Sequence, residues 1–282
     1  MLPEALINQI ARILSVLEEK WGKSAAPDFS KIAFRWKKNG GLEGIARIAT
    51  IRLDDLKHID TQKEKLVLNT QQFVLGLPAN NALLTGARGS GKSSLMRAIL
   101  HEFAPQGLRM IEVDKSDLTA LPEIVALVEN RPERFIIFCD DLSFEADDAS
   151  YKALKSLLDG SIFAPPENIL IYATSNRRHL MPDFFSENEE TDEIHPFERA
   201  EEKISLSDRF GLWLSFYPFD QNEFLAITRH WLKFFNVPES EFENAQQQAL
   251  QWALGRGARS GRVAQQFARH YAGSKALKNA EK

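Results

Sequence analysis

The stretch Thr85-Gly86-Ala87-Arg88-Gly89-Ser90-Gly91-Lys92-Ser93-Ser94 decides the fold. It fits the pattern G-x-x-x-x-G-K-[ST], with Gly86, Gly91, Lys92 and Ser93 at the fixed positions. The apolar run Asn81-Ala82-Leu83-Leu84 before it reads as a buried strand. Leu95, Met96, Ala98, Ile99 and Leu100 after it read as a helix. Strand, glycine-rich turn and helix are the context that gives the pattern its chemistry. Glycines let the backbone curl so that its N–H groups form an anion nest, and the helix N-terminus adds partial positive charge. Gly86, Ala87, Arg88, Gly89, Ser90, Gly91, Lys92, Ser93 and Ser94 are therefore the expected polyphosphate-binding residues. Lys92 is placed to reach the outer phosphates, and the Ser93 hydroxyl to ligate Mg2+.

Working outward, strand and helix patterns alternate. Arg109–Val113 is the second expected strand, Phe135–Cys139 the third, Ile169–Thr174 the fourth and Leu212–Tyr217 the fifth. The third is apolar on both faces, as in a central strand of a parallel sheet. Helices are expected up to Phe73, over Leu121–Glu129 and over Tyr151–Leu158. This alternation implies a doubly wound α/β layer with nucleotide beyond the carboxyl ends of the strands. After Phe219 no strand signal remains. Phe224, Ile227 and Trp231, then Phe242, Ala245, Ala249 and Trp252, then Val263, Phe267 and Tyr271 make three helical stripes. The expected division is an N-terminal helix and linker over 1–50, a nucleotide-binding α/β domain over 51–219, and a helical lid over 220–282. Within the first part, Pro3–Trp21 reads as an amphipathic helix. The glycine-rich Ala25–Gly44 reads as a linker carrying an island, Phe34-Arg35-Trp36-Lys37-Lys38, whose expected use is packing on the core rather than stacking on a nucleic-acid base.

The third strand ends in Asp140-Asp141, where carboxylates can reach the metal. Asp140 is assigned to Mg2+, mostly through water, because magnesium dehydrates reluctantly. Asp141 is assigned to orienting the attacking water, with Glu145 as its rival. The fourth strand ends in Ser175-Asn176, and the Asn176 amide is expected at the γ-phosphate or the water.

Composition narrows the rest. The chain has 282 residues with a net charge of −4, so its overall charge does not point to nucleic acid. Charge is uneven, with nine acids and two bases between Met181 and Lys203, and seven bases and one acid between Leu254 and Lys282. The Glu187–Glu202 part of the acidic stretch reads as a solvated flexible loop, with a docking surface for a basic partner as the alternative. Cys139 is the only cysteine, so no intrachain disulfide can form. No apolar run approaches the ~18 residues of a membrane span, and the mixed-charge N-terminus does not read as a signal peptide. A cytoplasmic location, with no membrane or nucleic-acid partner, is expected.

With these residues in hand, the chain resembles the AAA+ ATPases. Gly86–Ser93 is similar to Walker A, Phe135–Asp141 to Walker B, and Asn176 to sensor 1. Ser207-Asp208-Arg209-Phe210-Gly211 resembles an arginine-finger box, and Gly257-Ala258-Arg259 a sensor 2 motif. A more specific resemblance is to the bacterial family DUF815, in Pro78-Ala79-Asn80-Asn81, Cys139–Glu145, Thr174–Leu180 and Arg259–Ala264. The resemblance implies a five-stranded sheet of order 5-1-4-3-2 and a helical lid over ATP and Mg2+. It also implies a finger arginine, Arg209, acting on a neighbouring subunit of a nucleotide-dependent homo-oligomer. The lid arginine it implies is Arg259, with Arg262 three residues on as the other candidate. Hydrolysis of ATP to remodel or load an unknown protein partner is the implied work. A nucleotide-gated binding switch with little turnover is the alternative, and a small-molecule P-loop kinase is the weaker one. Threading AAA+ proteins carry an aromatic-apolar-Gly loop after the second strand. Here that place reads Asp114-Lys115-Ser116-Asp117-Leu118, which argues against threading.

Overall fold

The structure, a computed structural model, describes residues 27–38, 40–144, 148–159, 166–177 and 206–280. Seven strands form one sheet: β1 (Ala33–Lys37), β2 (Gly41–Gly44), β3 (Ala82–Gly86), β4 (Leu108–Glu112), β5 (Arg134–Cys139), β6 (Ile169–Ser175) and β7 (Leu212–Phe216), in the order β2-β1-β4-β5-β6-β3-β7. The β7-β3-β6-β5-β4 part is the expected 5-1-4-3-2 arrangement, and all its pairings are parallel. Alternate side chains of β5 go to opposite faces. Ile136 and Phe138 join the cluster under α1 (Asp60–Val74) and α2 (Lys92–Phe103). Phe135, Ile137 and Cys139 join the one under α3 (Leu121–Val128) and α4 (Ala149–Asp159). A strand covered on both faces must be apolar throughout, which is why these runs lack a polar alternation.

Residues 33–44 correct the linker reading of Ala25–Gly44. β1 pairs in parallel with β4, and β2 folds back antiparallel on β1. Phe34 and Trp36 are buried on the α3 face, while Arg35 reaches Glu112 at 2.6 Å and Lys37 reaches Glu43. Phe34–Lys37 of the aromatic-basic island is thus a period-2 strand, with its rings in the core and Arg35 and Lys37 paired on the other side. The amphipathic N-terminal stretch and the acidic Met181–Lys203 stretch lie outside the described residues.

The asparagines of Pro78-Ala79-Asn80-Asn81 stitch α1 to the sheet. Asn69 Nδ2 donates to Asn80 O and to Tyr172 Oη, both at 2.8 Å, and Asn80 N donates back to Asn69 Oδ1 at 3.0 Å. Ile171 N donates to Asn81 Oδ1 at 2.8 Å. Thr70 Oγ1 gives its proton to Leu66 O, so Tyr172 O–H must donate to Thr70. Burial pushes the Tyr172 phenol up to about 12, against the hydrogen bond from Asn69 that favours its ionised form.

Beyond β7 come α5 (Gln221–Phe234), α6 (Phe242–Gly255) and α7 (Gly261–Ala280). Asp220 starts α5 with a capping box: Glu223 N donates to Asp220 Oδ1 at 2.8 Å and Asp220 N to Glu223 Oε2 at 2.9 Å. Apolar packing from Phe224, Trp231, Phe242, Ala249 and Phe267 is continuous with the α1/α2 face of the sheet. The helices therefore stand over the end of the sheet where β3 meets α2.

Candidate functional site

The turn from β3 into α2 is shaped by two glycines. Gly86 has φ 129°, and a Cβ there would lie 1.8 Å from Phe216 O on β7. Gly89 has φ 73°, and a Cβ there would meet Ser260 Oγ at 2.7 Å. Gly89 O also accepts from Gly261 N at 3.0 Å, which docks the start of α7 on the loop. Only glycine fits either place.

Lys92, 6% exposed, folds its ammonium over the loop. Nζ donates to Gly86 O and Ala87 O at 2.8 Å each and to Asn176 Oδ1 at 3.1 Å. Burial pulls its pKa below the ordinary lysine value. Asp141 and Asp140 oppose that shift, while Arg262 and Arg88 add to it. Beside it, Ser93 Oγ donates to Asp140 Oδ1 at 2.7 Å and Thr174 Oγ1 to the same oxygen at 2.5 Å. Asn176 Nδ2 donates to Asp141 Oδ1 at 2.5 Å. Lys92, Ser93, Asp140, Asp141 and Asn176 are thus joined in one hydrogen-bonded group at the carboxyl ends of β3, β5 and β6.

This group floors a cleft of ≈ 480 Å³. Its polar end also holds Arg88, Ser90, Ser94 and Arg262. Apolar residues line it too, Ile51, Leu56 and Ile59 from the core and Ile227 and Trp231 from the C-terminal helices. His230 and Asp55 bridge lid and core, Nε2 to Oδ1, at 3.1 Å. A hydroxyl and a carboxylate 2.7 Å apart are hard oxygen donors of the kind Mg2+ takes. The glycine-lined turn and Lys92 suit phosphate, and the apolar chamber suits a planar base. The donor set fits Mg·ATP.

Residues 30–275 match the family described as "Protein of unknown function (DUF815)". The chain belongs to the DUF815 family. Three solved structures show what its fold is similar to. Against a single-residue variant of RuvB from Thermotoga maritima the TM-score is 0.50 at 18% identity, covering 77% of this chain and 63% of that one. Against Orc1 of Aeropyrum pernix in complex with DNA it is 0.51 at 14% identity, covering 80% and 65%. Against a chain of the HORMA–CdnC–Trip13 complex of Escherichia coli MS115-1 it is 0.50 at 12% identity, covering 79% and 93%. At these identities the likeness is one of fold: the chain has an AAA+-like fold, a mostly parallel α/β sheet followed by helices. The chain spans less than two thirds of the RuvB and Orc1 chains. No curated protein matches the sequence.

Several expected site residues of the DUF815 protein stand elsewhere than in that group. Arg259, the favoured lid arginine, lines an adjoining cleft of ≈ 820 Å³ on the other side of Arg88 and Ser90, whereas Arg262 lines the Lys92 cleft. Three residues along a helix start were enough to separate them, because α7 begins only at Gly261 and Arg259 precedes its first turn. Arg209 is engaged within its own chain by Asp159, the last residue of α4. Glu145 lies outside the described residues. Three features escaped the sequence reading: the Ile51–Ile59 wall, the Asp55–His230 bridge and Thr174. Only Thr174 had a local signal, on the fourth strand two residues before Asn176.

Proposed function

We propose that the protein binds Mg·ATP in the Lys92 cleft, hydrolyses it, and uses lid movement to remodel or load a protein partner. The observation that carries this is the Ser93–Asp140 pair, 2.7 Å apart, beside the Lys92 ammonium on a glycine-shaped turn. Bound there, Mg2+ would draw charge from the outer phosphates of ATP. Ser93 and Asp140 would hold the metal. Lys92, Arg88 and Arg262 meet phosphate charge. Ile51, Leu56, Ile59 and Trp231 exclude water from the base. Asp141 takes the proton of the attacking water, and Asn176 holds that carboxylate in place. Residues 33–44 and 51–219 act as the nucleotide-binding body and 220–282 as the lid.

Two further observations bear on the mode of action. The loop after β4 is pinned, with Lys115 on Asp148 at 2.9 Å and Leu118 buried, and it carries no aromatic. That favours remodelling without threading of a polypeptide. Cys139 is a buried free thiol, pushed up to about 12 by burial. Such a thiol is inert and takes no part in the chemistry. No helix among the described residues is long and apolar enough to cross a membrane.

The nucleotide-gated switch is favoured by one specific arrangement. Asp141 is held by Asn176 and Arg209 by Asp159, so the two groups assigned to turnover are both engaged. Phosphate release from ATP separates the readings. Magnesium-dependent release that stops in Asp141→Asn, with ATP still bound, supports the ATPase. Binding without release, in wild type at any protein concentration, supports the switch. Neither binding nor release would refute both.

A further inference from the structure

β5 and β6 keep their parallel register up to the Cys139–Ala173 pair. Beyond it the chain of β5 leaves the ladder. Asp141 turns into the left-handed region at φ 54°. Few non-glycine residues sit there, and Asp is among those that do so most readily. An amide turned out of a buried ladder needs another acceptor. Here it is a side chain: Asp141 N donates to Thr174 Oγ1 at 2.9 Å. Leu142 N rejoins the strand at Thr174 O, 2.7 Å away, and Ser175 Oγ donates to Leu142 O at 2.7 Å. Thr174 Oγ1 gives its own proton to Asp140 Oδ1. Ser93 uses that same oxygen, which leaves Asp140 Oδ2 with no protein donor among the described residues. Thr174 is 1% exposed and lies at the cleft wall beside the two exposed carboxylates.

We propose that Thr174 is the positioning residue of the acidic pair. Its hydroxyl fixes one oxygen of Asp140 and leaves the other for the metal. Through the amide of Asp141 it holds the left-handed turn that hands the Asp141 carboxylate to Asn176. The reach of a short carboxylate is thereby set by the backbone turn. This assignment rests on the Mg·ATP reading of the cleft.

The test compares full-length wild type with Thr174→Val, which keeps the shape and removes the hydroxyl, and Thr174→Ser, which keeps the hydroxyl. Amide hydrogen exchange in nucleotide-free protein reads the bond from Asp141 N. Mn2+ binding in the presence of ADP, read by electron paramagnetic resonance, reads the metal without turnover. In Thr174→Val the Asp141 amide should exchange roughly tenfold faster, the upper range for one lost hydrogen bond. Mn2+ affinity should fall about 10- to 100-fold, as when a partner that orients a metal ligand is removed. Thr174→Ser should restore both, and ADP affinity in EDTA should be the same in all three. Equal exchange in wild type and Thr174→Val, or loss in Thr174→Ser as deep as in Thr174→Val, would overturn the proposal. A protected Asp141 amide in a wild type that holds no Mn2+ with ADP would overturn the metal reading of the cleft, while the exchange comparison still decides what Thr174 does.

Discussion

Replacing Lys92 by Met should abolish tight ATP binding without weakening the fold. The ammonium makes three hydrogen bonds in the nucleotide-free site, to Gly86 O, Ala87 O and Asn176 Oδ1. Binding ATP exchanges at least two of these neutral acceptors for phosphate oxygens. A bond between two charged groups is worth ~3 kcal/mol against ~1.5 for one to a neutral acceptor, so two exchanges are worth about 3 kcal/mol. At 1.4 kcal/mol per decade, that is a loss of roughly 100-fold in affinity. Stability should move the other way. The folded state lowers the Lys92 pKa, chiefly by burial, so the buried ammonium costs stability below that lowered pKa, and the cost is gone only above the ordinary value of 10.5. Met removes the buried charge while filling the same space, so the variant should be at least as stable as wild type. Titration with a fluorescent ATP analogue and a thermal melt without nucleotide check both halves. Affinity within threefold of wild type in a well-folded Lys92→Met protein would refute the phosphate role of Lys92.

Other outcomes follow from the same geometry. Arg262→Ala should erase the protection of the lid from protease that ATP confers, while Arg259→Ala keeps it; the reverse result would return the lid role to Arg259. Asn69→Ala should lower stability by about 2 to 3 kcal/mol in urea unfolding, because it strands Asn80 N and strips a donor from the buried Tyr172 hydroxyl; a change under ~0.5 kcal/mol would show that water takes over its bonds. Mixing Lys92→Ala subunits, which keep Arg209, with Arg209→Ala subunits, which keep the cleft, should restore part of the ATPase rate. No rescue, together with activity independent of protein concentration, would leave Arg209 as the partner of Asp159 and nothing more.

The strands of the parallel part were legible as short runs, such as Phe135–Cys139 before Asp140, and their order 5-1-4-3-2 came with the resemblance to the AAA+ ATPases. The β1–β2 hairpin was not. Phe34-Arg35-Trp36-Lys37 alternates as a strand should, but Pro27, Gly40, Gly41 and Gly44 crowd around it, and its partner β4 is distant in sequence. Local composition outweighed a pairing that only tertiary structure supplies. At the site, residue types on strand ends were enough to bring Lys92, Ser93, Asp140, Asp141 and Asn176 together on paper, and the geometry joins them. Which of Arg259 and Arg262 enters the cleft depends on where α7 starts, and helix starts are the least legible boundaries. Thr174 was passed over because a threonine in a strand ordinarily needs no explanation. Its role follows from the positive φ at Asp141, which no sequence pattern announces.

The central claim is that the Lys92 cleft takes ATP with its metal. Calorimetric titration of ATP into the full-length protein, in Mg2+ and again in EDTA, tests it most directly. The expected result is one site per chain, tighter with Mg2+ than with EDTA, with a dissociation constant below about 1 mM. Absence of binding up to that concentration in Mg2+, or equal affinity with and without the metal, would contradict the assignment of Lys92, Ser93 and Asp140.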